Sequence, residues 1–132
     1  MDAEAAARRW ADEWAKGWRE HDADRIAALY ADEAVFRSQP FREPHRGTTG
    51  AREYALWAFA DEESVECSFG EPVAAGDRAA VEYWAVVRSS GSEETIAGIA
   101  VLRFDADGRV AEQRDYWAMQ GGRIEPGEGW GR

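Results

Sequence analysis

The residues best suited to chemistry lie near the C-terminus, in Gln113-Arg114-Asp115-Tyr116-Trp117. In an extended strand successive side chains leave on opposite faces, so Trp117, Asp115 and Gln113 share one face while Tyr116, Arg114 and Glu112 share the other. With Trp117 turned into the core, a carboxyl and an amide go inward beside it. Burial raises a carboxyl pKa and poises the group for proton abstraction, which makes Asp115 a candidate general base. The structural alternative is an ion pair with one of the arginines, or a hydrogen bond from a Trp indole.

Aromatic side chains supply the second kind of candidate. Trp10, Trp14 and Trp18 recur every four residues, and Tyr54 and Trp57 follow at a spacing of three. Each set falls on one helix face, as plain core or as the lining of an apolar ligand pocket. Trp14 is the best candidate for offering its indole N–H to a ligand carbonyl. Tyr83 alternates with Glu82 and Trp84, and its hydroxyl could orient a substrate or a water. A register slip of one residue would put Glu82 there instead.

Other chemistries find no support. His21 and His45 belong to no metal-ligand spacing, and a single cysteine, Cys67, excludes both an intrachain disulfide and a thiolate cluster within the chain. No phosphate-cradling loop, nucleophile elbow or dinucleotide fingerprint occurs, so no cofactor is expected. The net charge of −10, with Lys16 the only lysine, argues against nucleic acid and anionic membranes as partners. Without a signal sequence or apolar span, a soluble cytoplasmic protein is expected.

The elements that must position these groups can be read from periodicity. One domain over residues 1–132 is expected, with three helices ahead of a sheet. A helix from about Ala3 to Glu20 carries the three tryptophans. Asp22 caps a second helix, in which Ile26, Leu29 and Tyr30 repeat at helical spacing. Val35 to Phe41 suits a short strand, and residues 42–47 a loop. A third helix from Thr48 or Thr49 has Tyr54, Trp57 and Ala58 on its apolar face. Turn signals then separate four antiparallel strands, Val65–Ala74, Ala79–Ser89, Glu94–Phe104 and Arg109–Met119, and the tail from about Gly121 is irregular. The third of these strands is apolar on both faces, so helices cover one side and a second subunit could cover the other.

Several strings in this order resemble the SnoaL-like branch of the nuclear transport factor 2-like superfamily. They are Leu29-Tyr30-Ala31-Asp32-Glu33-Ala34-Val35-Phe36, Gly70-Glu71-Pro72, Val81-Glu82-Tyr83-Trp84, Val101 to Val110, and Arg114-Asp115-Tyr116-Trp117. The resemblance implies an α+β fold, a cystatin-like roll whose curved antiparallel sheet packs against the N-terminal helices around a conical pocket. It also implies a homodimer formed through the sheet.

The family's chemistries can be compared position by position. Where ketosteroid isomerases carry an aspartate base this chain has Ser38, and their oxyanion positions match Trp14 and Ala100, so that mechanism is not expected. Limonene epoxide hydrolases hold a water with two aspartates and an arginine. Asp115 matches one aspartate, while the companion positions are Tyr83 and Ala85. SnoaL-type cyclases rely on one aspartate base, and Asp115 resembles that residue too. The expected site is therefore Asp115, with Trp14, Ser38, Tyr54, Trp57, Tyr83, Gln113 and Trp117 around a small apolar molecule. The expected activity is a cofactor-free isomerase, cyclase or hydrolase, and the alternative is a non-catalytic ligand-binding or dimerisation module.

Overall fold

Asp2 starts the chain's first helix by accepting the backbone N–H groups of Glu4 at 2.9 Å and Ala5 at 3.3 Å. These satisfy two donors that a helix N-terminus leaves without intrahelical partners. The computed structural model describes residues 1–132. Helix α1 (Ala3–Glu20) ends where His21 takes a left-handed φ of 53°. Helix α2 (Ala23–Ala27) follows, with the Asp22 carboxylate accepting the Arg25 N–H at 3.0 Å.

The helical repeat expected to run through Tyr30 stops at Ala27. Leu29 O accepts the N–H of Val110 at 2.8 Å, which draws the chain into sheet pairing, and Tyr30 opens strand β1 (Tyr30–Arg37). The strand expected at Val35–Phe41 thus begins and ends earlier. Past it lies Pro40, which has no N–H to give a ladder. Residues 42–47, expected as a loop, include the short strand β2 (His45–Arg46) and the first residue of helix α3 (Gly47–Phe59).

The remaining strands are β3 (Ser64–Phe69), β4 (Val73–Ala75), β5 (Arg78–Ser89), β6 (Ser92–Phe104) and β7 (Val110–Gly121). The expected strand Val65–Ala74 is divided at Gly70-Glu71-Pro72, again beside a proline that cannot donate. The sheet order is β2-β1-β7-β6-β5-β3, with β4 also paired to β5. All pairings are antiparallel except β1 with β7, which is parallel. The molecule is thus the mixed α+β fold that the sequence suggested.

Register sets which side chains meet. Tyr83 lies opposite Gly98, and Gly98 opposite Trp117, so Tyr83, Asp115 and Trp117 project from one face, toward the helices. Glu82 and Trp84 project from the other. A Cβ at Gly98 would lie 2.6 Å from Trp117 Cβ and 2.8 Å from Tyr83 Cζ. The bare backbone there makes room for two large side chains to converge.

Helix α3 faces the core differently from the expected face. It buries Gly47, Ala51, Ala55 and Phe59, whereas Tyr54 and Ala58 are half-buried and Trp57 is 64% exposed. Small alanines let the helix approach β1 closely, and the aromatics turn toward an opening instead. The irregular tail crosses the outer face of the sheet. Trp84 Nε1 donates to Ile124 O at 2.8 Å, and the Trp84 and Trp130 rings meet edge to face at 6.1 Å.

Candidate functional site

A cavity of about 330 Å³ opens between α1, α3 and the inner face of the sheet. Asp115, Gln113, Tyr83 and Trp117 come to it from the strands, Trp10, Trp14 and Trp18 from α1, and Tyr54 and Trp57 from α3. One helix supplies three indoles to one wall because residues four apart stack on a single face.

Each of those indole N–H groups has its own acceptor. Trp10 donates to Gln113 Oε1 at 3.2 Å, Trp14 to Tyr30 Oη at 3.0 Å, and Trp18 to the Glu62 carboxylate at 3.0 Å. Tyr30 Oη donates in turn to Gln113 Oε1. With two donors aimed at its oxygen, the Gln113 amide must present its nitrogen the other way, and Nε2 donates to Asp115 Oδ1 at 3.0 Å. Tyr83 Oη donates to Asp115 Oδ2 at 3.2 Å. Asp115 is the acceptor on which these donors end, and neither an arginine nor an indole reaches it.

Asp115 is 9% exposed. Burial disfavours its charged form, and the two hydrogen bonds from Gln113 and Tyr83 offset this only in part, so the pKa is pushed up to about 7. Desolvation, followed by the nearby Asp115 charge, also pushes the Tyr83 and Tyr30 phenols far up. Both therefore remain protonated donors at neutral pH. A carboxyl group that ionises near neutrality beside an apolar cavity can accept a proton from a weakly acidic C–H, O–H or water.

Two expectations need correction. Ser38 does not line the cavity. Its side chain is fully buried, its Oγ accepts from Arg42 at 3.2 Å and lies 3.0 Å from His45 Nε2, and its carbonyl accepts the Trp117 indole N–H at 2.6 Å. It anchors the wall from behind. Trp14 lines the cavity with its ring, but Tyr30 takes its N–H, which leaves no free donor for a ligand carbonyl.

His45, in the segment expected as a loop, is half-buried beside Phe36 and Tyr54. Burial, aided by the Arg42 charge, holds its pKa below the usual histidine range.

Sequence reasoning missed Tyr30, Glu62 and Arg42. Tyr30 looked like the end of a helical repeat. Glu62 follows α3 in a run of acidic residues that reads as solvated surface, yet it lines the cavity, and burial pushes its carboxyl pKa up. Arg42 sits in a loop of polar type, and its guanidinium carbon lies 5.2 Å from the Trp57 ring centre and 5.5 Å from that of Trp117.

The SnoaL-like domain family matches residues 7–113, and the chain belongs to that family. No curated protein matches the sequence. Solved structures agree with the fold at low identity. An epoxide hydrolase/cyclase-like enzyme described in pyran ring formation of the polyether salinomycin shares 18% identity, over 92% of this chain and 99% of its own, with a TM-score of 0.77. An epoxide hydrolase from Mycobacterium tuberculosis shares 18%, over 89% and 86%, at 0.72. A protein of ketosteroid isomerase-like fold from Catenulispora acidiphila, solved in complex with trimethylamine, shares 16%, over 83% and 85%, at 0.73.

Proposed function

We propose that the cavity binds a small, largely apolar molecule and that Asp115 acts on it as a general base, without a cofactor. The reaction class would be an isomerisation, cyclisation or hydrolysis. One observation carries this reading: a carboxyl group on the cavity wall, fed by donors from Gln113 and Tyr83, with a pKa of about 7. A base in that range is half ionised at neutral pH and still strong enough to take a proton. The hydrolase and cyclase relatives give the reading a chemical direction.

The second reading is a non-catalytic ligand-binding or dimerisation module. It is favoured by the way Trp10, Trp14, Tyr30 and Gln113 satisfy one another internally, which leaves few free donors for a developing oxyanion. Replacing Asp115 with Asn separates the two. An enzyme loses turnover while its fold persists, whereas a binding module shows only a change in affinity.

We further propose a homodimer formed through the outer sheet face, where Ile99 and Val101 are half-buried and Tyr116 is 45% exposed. No helix is long and apolar enough to cross a membrane. The single free thiol, Cys67, is consistent with a cytoplasmic setting.

A further inference from the structure

The cavity's charges are one-sided. Asp61, Glu62, Glu94 and Asp115 line it, and Arg42 is the one basic residue among the lining side chains. Arg42 is in no ion pair; its guanidinium lies over the faces of Trp57 and Trp117 at the rim. The rim therefore already holds a cation against two indoles, the arrangement in which a ring quadrupole attracts positive charge.

Two further features deepen the negative field. Helix α3 ends at Phe59, beside the cavity, with no basic residue in its last turn, so the negative end of its dipole is left uncompensated there. Glu62, whose side chain is largely buried, has one basic neighbour, His21 at 3.3 Å, which is charged only when protonated. Trp18 holds the same carboxylate through its N–H while its ring lines the cavity. A desolvated carboxylate against an aromatic wall is a poor place for an anion and a good one for an alkylammonium group.

We propose that the ligand is an organic cation, an apolar body carrying a tertiary or quaternary ammonium head that sits between the aromatic wall and the Glu62 carboxylate. This rests on the cavity being a small-molecule site and adds the charge of what it takes. The protein's net charge of −10 favours the approach of such a ligand.

The test is calorimetric titration with three probes of similar size: benzyltrimethylammonium, its uncharged carbon isostere neopentylbenzene, and the anion tert-butylbenzoate. The cation should bind about tenfold more tightly than its isostere. Glu62→Gln, which still offers Trp18 an acceptor, should remove most of that margin and leave the neutral probe unchanged. If this variant does not fold, Glu94→Gln on the exposed rim should give a smaller loss of the same kind. A neutral probe that binds as tightly as the cation, or a margin that survives the substitution, overturns the proposal while keeping the cavity as a binding site. Tightest binding by the anion also overturns it, and assigns the rim to Arg42. Binding by none of the three overturns the small-molecule reading as well.

Discussion

At the scale of the residue, the proposed proton transfer and the pH dependence of stability both turn on Asp115. Its pKa is near 3.8 when exposed and about 7 when folded. The folded state therefore holds a proton that the unfolded chain releases, and stability falls as pH rises from about 4 to about 7. A shift of this size is worth about 4 kcal/mol. Unfolding in urea at pH 5 and pH 8 should show roughly 2.5 kcal/mol of that loss in the wild type and much less in Asp115→Asn. If the protein is an enzyme, kcat/KM should rise with pH through about 7, following the ionised base. Tyr83→Phe removes a hydrogen bond that favours the carboxylate, so its pH profile should move to higher pH; an unmoved profile would show that the bond does not act on the base.

The alternation in Gln113-Arg114-Asp115-Tyr116-Trp117 was enough to bring Asp115, Gln113 and Trp117 onto one wall, because strand parity is a rigid geometric rule. Parity could not reveal Tyr30, whose spacing from Ile26 also fits a helix and whose strand identity depends on pairing with Val110, far along the chain. Ser38 failed as a ligand group for a related reason. A position equivalent in the chain need not face the cavity once a loop proline and an arginine have turned the backbone and filled the space.

At the scale of the element, α1 is a rack of three indoles whose N–H groups hold β7, β1 and the segment after α3 in turn. Spacing predicted the face but not the acceptors, since those come from distant segments. Trp10→Phe shrinks a buried ring and removes the bridge to Gln113, and the two losses together should cost about 2 kcal/mol in urea unfolding. Trp57→Phe, at an exposed position, should change stability by less than about 0.5 kcal/mol. Equal effects would mean that the buried Trp10 ring and its bridge do not hold α1 to the sheet. The buried stripe of α3 was hard to read because alanines carry little hydrophobic signal, whereas its conspicuous aromatics face the opening.

At the scale of the whole molecule, the helices cover one sheet face and leave the other for the tail and for a proposed second copy. Ile99→Glu puts a charge in the middle of that outer face without touching the cavity. Analytical ultracentrifugation should give the mass of two chains for the wild type and of one for the variant; a single-chain mass for both would remove the dimer.

The tail also seals the notch between β3 and β4. Glu71 N–H donates to Gly131 O at 2.7 Å, and Gly70 and Gly131 lie so close that a Cβ on Gly70 would be 2.7 Å from Gly131 Cα. Unpaired strand edges and bare apolar surface are templates for uncontrolled chain-to-chain addition. A chain cut after Gly121 would open that notch and uncover Trp84 together. The last eleven residues are thus expected to protect the protein colloidally: light scattering on storage should rise in the shortened chain well before its helices and sheet unfold.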